Sequence, residues 1–344
     1  MNKGQIIKII LLFSVALIVA GGTTAYGGET QQKLYAQSRE TSKPAELIIG
    51  GGSGTGFYYL FGEAVAEMVR RSNPTWSITS SVGETASNIQ FIHNGKMQLA
   101  LVFVELVSEA MKGIGVYKEP IQDVKIIVNY TDKHPVQFLL LSDVPINSIK
   151  EWKEKKLTLR VNVQKRGAGA EVLNNRLLQA YGITYEDIKS WGGIIRYEGG
   201  SASMDLMRDG LLDGSLMTAD CPSSSVKELS TSRKLKMLPI DPKIVTELVK
   251  KYGYFDYVIK AGTYDWLKRD IQSVAQGSCL VASTKLAPGV VRNIIRAHFE
   301  QIEYLRSVHV ALKPMTVSDF SDIPIDLIHP EAREYYESRG IKFK

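Results

Sequence analysis

The sequence predicts an α/β protein with largely parallel sheets covered by helices. Three observations carry that prediction. Short apolar, strand-like runs alternate with helical patterns along the chain. Two of those runs break directly into glycine loops that open helices, at Ile48 and again at Leu159. The stretch after residue 45 is about 300 residues long, enough for two domains.

The chain opens with a basic start at Lys3 and Lys8 and a mostly apolar stretch from Ile9 to Ala20. Thr23 and Ala25 are small residues at the −3 and −1 positions of a cleavage site after Ala25. This is the pattern of a signal peptide over residues 1–25, and the apolar stretch is short for a membrane-spanning helix. A retained N-terminal anchor is the alternative; a lipid anchor lacks its cysteine. The expectation is therefore export and a periplasmic location. Residues 26–45 are polar and read as a flexible linker.

The first unit of the body is Glu46 to Tyr59, ELIIGGGSGTGFYY. Leu47, Ile48 and Ile49 read as a buried strand, and from Tyr58 apolar residues recur at helical spacing. The glycines between them let the backbone approach another group closely while helix-terminal N–H groups point outward, a site for an anion. A Walker-type loop fails, because Phe57 and Tyr58 stand where Lys and Ser or Thr are needed. The dinucleotide fingerprint fails as well, since its third glycine position falls on Thr55 or Phe57. A small carboxylate suits Ser53, Thr55 and the glycines better than a triphosphate, with a glycine turn that merely tightens strand–helix packing as the lesser alternative.

Downstream, Ser77–Val82 reads as a strand, Glu84–Asn94 as a helix stopped by Gly95, and Leu99–Val104 as a strand. Glu105–Lys112 is a short helix, while Val124–Val128, Val136–Leu141 and Leu157–Val163 are three separate strands. The loop Arg166–Gly167–Ala168–Gly169 then opens a helix that ends at Gly182. Two strand–loop–helix units on two lobes, facing one cleft, are the parts of a closing clamp.

Composition excludes some classes. The formal charge is +6 over the chain and +4 without the leader, 40 basic against 36 acidic residues. The charges are interspersed, as in Lys150–Lys156, so there is no basic stripe for nucleic acid. Cys221 and Cys279 read as two separate thiols, with a disulfide as the lesser alternative. The five histidines are scattered, no HExxH pair or GxSxG elbow occurs, and no metal, cofactor or catalytic set is expected. A Cys221–His134 pair is the nearest thing to a nucleophile and base.

The chain resembles the TAXI branch of the extracytoplasmic solute-binding subunits of TRAP (tripartite ATP-independent periplasmic) transporters. The resemblance is carried by IIGGGSGTGFYYLFGEAVAEMV, SVGETASNIQFIHNGKMQLALVFVELVSEAMKG, MDLMRDGLLDGSLMTADCP, GYFDYVIKAGTYDWLKRDIQSVA and HPEAREYYESRGIK, in family order. It departs from the family pattern at Gly83–Glu84–Thr85, at Arg166–Gly167–Ala168–Gly169–Ala170 and at Ala219–Asp220–Cys221. All three departures fall where a ligand would sit.

The resemblance implies a two-lobed, type II-like clamshell of the periplasmic-binding-protein class. Lobe 1 would be residues 46–136 plus 277–344, and lobe 2 residues 137–276. It implies no enzyme but a carrier of a small carboxylate, such as a glutamate-like amino acid or an organic acid, serving a TRAP permease. A ligand sensor for a signalling partner uses the same clamp, and a hydrolytic enzyme is the remaining alternative.

The candidate ligand residues follow from the loops. Ser53, Gly54, Thr55 and Gly56 would hold a carboxylate, with Tyr58 or Tyr59 as wall or as core. Thr85, Ser87 and Asn88 would cap their helix or turn to the ligand. From the second lobe, Arg166 beside Gly167 and Gly169 would pair with a carboxylate, or else lie on the surface. Asp220 and neighbouring Cys221 would meet a ligand amino group, or Asp220 would cap the next helix; Gln137 would reach in from a crossing strand.

Overall fold

The computed structural model describes residues 45–52, 57–309 and 312–343. The leader, the linker and Ser53 to Gly56 of the first glycine loop lie outside the described residues. In chain order the elements are β1 (Glu46–Gly50), α1 (Phe57–Ser72), β2 (Ser77–Ser81), α2 (Thr85–His93), β3 (Leu99–Phe103), α3 (Val104–Lys112) and β4 (Val124–Leu141). Then come α4 (Ile149–Lys155), β5 (Arg160–Asn162), α5 (Gly169–Ala180), α6 (Tyr185–Ser190), β6 (Ile194–Arg196), α7 (Gly200–Arg208) and β7 (Gly214–Thr218). The chain continues through α8 (Ser224–Ser230), β8 (Leu235–Leu238), α9 (Pro242–Tyr252), β9 (Phe255–Ile259) and β10 (Ile271–Ser283). It closes with α10 (Pro288–Glu300), α11 (Ile302–Val308) and α12 (Pro330–Ser338).

The strands run in the order β2-β1-β3-β10-β4-β7-β5-β6, with β8 on β4 and β9 on β10. The sheet is mixed, not largely parallel. The β1–β2, β1–β3, β5–β6 and β5–β7 pairs are parallel, as strand–helix–strand crossovers require. Every strand partner of β4 and β10 runs antiparallel to it, and Ile126 of β4 adds one isolated parallel bridge to Ile328. The separate strands expected at 124–128 and 136–141 are one strand of 18 residues. Its polar middle stays extended because β10 pairs it, with Lys133 opposite Gly277, His134 opposite Gln276 and Pro135 opposite Ala275.

Two long strands thus pass from one hydrophobic core to another. The first core takes Leu47 to Tyr130 and Cys279 to Tyr336, so it is built from both ends of the chain. Tyr336 of α12 seals it, donating its hydroxyl to the Ile127 carbonyl at 2.7 Å. The second core is drawn from Val136 to Val274, with a satellite cluster around Met204, Met217 and Tyr264. Between the cores lies a buried polar band: Asp132 and His134 on β4, Gln276 and Ser278 on β10. Residues two apart share a face of a strand, so each pair projects together. Both cysteines are free, Cys279 buried in the first core and Cys221 half-buried.

The second lobe is pinned where its helix meets its sheet. The buried Asn174 amide of α5 donates to the carbonyls of Leu216 (2.8 Å) and Val163 (3.3 Å) and accepts from the Thr218 hydroxyl (3.0 Å). Asn174→Ala should lower unfolding stability in urea by about 1–3 kcal/mol, since it strands buried partners. A loss below a few tenths would show that the amide is replaceable.

Candidate functional site

Helix starts converge on one cavity of about 270 Å³. It is lined by Tyr58 from α1, Glu84 and Thr85 at the start of α2, and Ala168 and Ala170 at the start of α5. Gly200 and Ser201 open α7, and Ser223 to Ser225 open α8. Helix starts carry unsatisfied N–H groups and the positive end of the helix dipole.

None of the N-cap residues Glu84, Ala168, Gly199 and Ser223 caps its helix with a side chain. Away from the cavity, Ser148, Thr184, Asp241 and His329 do so, while the starts of α10 and α11 are uncapped. Leaving Ala168 at such a position forgoes about 1 kcal/mol that Ser or Asp contributes elsewhere, and leaving Gly199 there forgoes a few tenths. The cavity is where that loss has a use.

The side chains around these helix starts are polar but hold no lysine or arginine among the described lining residues. Glu84 stands 4.0 Å from Lys165; burial raises its pKa and the lysine opposes that rise. Asp220 lies 3.6 Å from His309. Phe103, Met217 and the Tyr58 ring supply apolar wall. Tyr58 meets Phe103 edge-on at 5.1 Å and His134 at 5.2 Å.

Behind that wall the polar band forms a chain of hydrogen bonds. Ser278 donates to Asp132 Oδ2 (2.5 Å), so its oxygen accepts from the Tyr58 hydroxyl (2.5 Å). His134 Nε2 lies 2.5 Å from Asp132 Oδ2 and 3.1 Å from Ser278 Oγ. Burial pulls the Asp132 carboxyl upward, but His134, Ser278 and Lys133 outweigh it and hold it below the usual range. The Tyr58 hydroxyl is pushed well up by burial and by Asp132. The chain links the start of α1 to both crossing strands.

Of the residues singled out in the sequence, Tyr58, Thr85 and Asp220 line the cavity. Ser53, Gly54, Thr55 and Gly56 lie outside the described residues, between Gly52 and Tyr58, which both line it. The others stand back from it. Asn88 is buried and donates to the Gly51 carbonyl at 2.9 Å, holding the root of the glycine loop. Gln137 donates to the Asp220 carbonyl (3.2 Å) and accepts from the Tyr264 hydroxyl, which also accepts from Ser223 N (2.8 Å). It supports the loop that presents Asp220. The Cys221 thiol, pushed up to about 12 by burial, points at the same tyrosine.

Arg166 is exposed, its guanidinium 4.1 Å over the Tyr197 ring. Tyr59 is half-buried on α1. Gly167 and Gly169 act across the cleft. A Cβ on Gly167 would stand 3.2 Å from Ser87 Oγ, and one on Gly169 would meet Phe103 at 2.5 Å. Gly169 N donates to Thr85 Oγ1 at 2.7 Å, joining α5 to α2. Sequence reasoning missed His134, Gln164, Ser201 and Thr218 as lining residues, and Asp132 and Ser278 behind them. For Asp132, His134, Thr218 and Ser278 the signal was a polar residue inside a strand that is otherwise apolar, while Gln164 after β5 and Ser201 in α7 carried none.

The profile of the NMT1-like family matches residues 49–340. Among solved structures, MatC from Rhodopseudomonas palustris with bound malate is similar at a TM-score of 0.54 and 11% identity, over 85% of this chain and 98% of that one. A structure described as a periplasmic transporter is similar at 0.51 and 14% identity, over 87% and 94% of the two chains. The likeness is one of fold, the two-lobed α/β architecture of periplasmic binding proteins.

Asp132 should stabilise the protein most where it is ionised. Its folded pKa is depressed, so its contribution is present above the unfolded value of about 3.9 and is lost as pH falls through the folded one. Asp132→Asn should therefore cost about 3 kcal/mol at neutral pH, as for one partner of a buried pair, and progressively less below about pH 4. Urea unfolding across that range reads it; a gap independent of pH would remove the carboxylate from the account.

Proposed function

Because the chain belongs to the NMT1-like family, we propose that it is a solute-binding protein that captures a small carboxylate between its lobes. It delivers that ligand, a glutamate-like amino acid or an organic acid, to a TRAP-type membrane permease. The observation that carries this reading is the convergence of uncapped helix starts on one cavity. Fixed N–H groups in a partly dry cleft replace the water around a carboxylate without reorganising, and hydrogen bonds to a charged group count for about 1.5–3 kcal/mol each. The resemblance of the sequence blocks to TAXI subunits supports the permease as partner.

The ligand carboxylate sits at Ser53, Gly54, Thr55 and Gly56 and at the starts of α2 and α5, with Thr85 and Tyr58 as hydroxyl and wall. Asp220 and Glu84 repel a second anion placed beside them, and Asp220 accepts from a ligand amino group. This favours the amino-acid end of the range over a plain dicarboxylate. Lobe 1 comprises residues 46–136 and 277–344, lobe 2 residues 137–276, and they hinge at the polar band where β4 and β10 cross. No helix of the described residues is long and apolar enough to cross a membrane. The signal-peptide pattern supports an extracytoplasmic carrier.

A thermal-shift screen of protein stripped of co-purified solute tests the reading. Amino acids, dicarboxylates and keto acids at about millimolar concentration should include one that raises Tm by mass action. Silence across all of them, or a shift with sugars or nucleotides alone, would sink it. A second test uses the helix start itself. Ala168→Asp supplies a cap that occupies the N–H groups of α5 and sets a charge against the ligand. It should weaken carboxylate binding by at least about tenfold while leaving Tm unchanged or higher. Unaltered affinity would place the ligand away from α5.

A further inference from the structure

Away from the cavity, the two lobes meet along a buried seam between α3 and α5. Glu109 of α3 holds Arg176 of α5 through two parallel hydrogen bonds, one of them 2.7 Å. Arg176 also donates to the Tyr254 hydroxyl (2.8 Å) and lies 4.1 Å over the Tyr252 ring. One turn back on α3, Glu105 is 2% exposed and faces the same seam. Its Oε1 accepts from Gln276 Nε2 (2.5 Å), which is also 3.1 Å from the Gly169 carbonyl. Its Oε2 is buried with no hydrogen-bond partner among the described residues.

We infer that this seam is a proton-dependent clasp: the lobes close with Glu105 protonated, and ionising Glu105 drives them apart. Two carboxylates one turn apart share one guanidinium, and the guanidinium is already committed to Glu109. The seam is electrically balanced only while Glu105 carries a proton. The other titratable groups facing it are Tyr58 from α1, Tyr117 after α3, Tyr254 before β9, Cys279 on β10 and Lys133 on β4. The tyrosines and the thiol are pushed up by burial and stay neutral. The Lys133 ammonium sits 3.8 Å over the Phe255 ring and helps to hold Asp132.

Burial, with Glu109 adding to it, raises the Glu105 carboxyl to about 8, against the pull of its hydrogen bonds and of Arg176. Parting the lobes would give it water and return it to the ordinary range near 4.3. Since the closed-state value is the higher one, closure is favoured in acid and lost as pH rises through about 8. Between the two values the closing equilibrium falls about tenfold per pH unit. Closing the cleft takes up one proton, and opening it releases one.

The inference rests on the opening and closing of the lobes proposed above but not on the ligand, so its test uses none. Small-angle scattering would follow the size of the ligand-free protein from about pH 4.5 to about pH 9, with circular dichroism showing that it stays folded. The wild type should be compact in acid and finish expanding by about pH 8, and Glu105→Gln, a neutral isostere, should stay compact throughout. Dimensions that ignore pH, or an expansion that persists in E105Q, overturn the clasp. Should E105Q not fold, the wild type decides. The infrared carbonyl band of a protonated carboxyl must vanish with the same midpoint as the expansion, and a band absent in acid refutes the idea. A protein that binds no carboxylate yet expands in this way keeps the clasp and loses only its proposed cargo.

Discussion

Everything in this molecule depends on β4 and β10 being long enough to belong to two cores at once. Each strand is apolar where it lies in a core and polar in the step between, so the join is made of hydrogen bonds and not of hydrophobic packing. Interdigitated apolar side chains resist sliding. A band of Asp132, His134, Gln276 and Ser278 has few alternatives to its present partners but no packed layer to shear. The polar step is where the two strands pass between the cores, and α3 and α2 reach α5 beside it through Glu109 and Thr85.

The cavity's electrostatics come from the backbone more than from side chains. Helix starts from both sides of the cleft supply partial positive charge that cannot titrate and has no side-chain entropy to lose. The carboxylates beside them are Glu84 and Asp220, the latter 3.6 Å from His309. The positive field of the cavity is thus fixed in place by the fold, with two carboxylates on its wall. Thr85 has a part in both: it lines the cavity and its oxygen receives the Gly169 amide from across the cleft. At that residue the cavity wall and the contact between α2 and α5 are made by one side chain.

Much of the fold was legible because its signals are local. The glycine loops at Gly50 and Gly167, the stop at Gly95 and the helical spacing after Gly169 all depend on neighbours in sequence. The merger of 124–128 with 136–141 was not legible, since the strand persists through Lys133 and His134 only because β10 pairs it from about 140 residues away. The site divides in the same way. Tyr58, Thr85 and Asp220 stand at loop ends, where local pattern points. His134 and Ser278 meet across that same separation, and Glu105, Glu109 and Arg176 meet only when two lobes do. The short helix expected over Glu105–Lys112 said nothing of what Glu105 and Glu109 would face.

The way the cores use the chain also sets an order of events. The second core needs nothing beyond Val136 to Val274, a contiguous stretch that closes on itself. The first core spans Leu47 to Tyr336, and its seal is the α12 tyrosine that reaches back to Ile127. No amount of waiting lets the earlier-made half finish until nearly the last residue has emerged. Contacts across so long a loop are slow to form. A nascent chain of this design keeps its first core unlocked until α12 has been made, long after the second core can close.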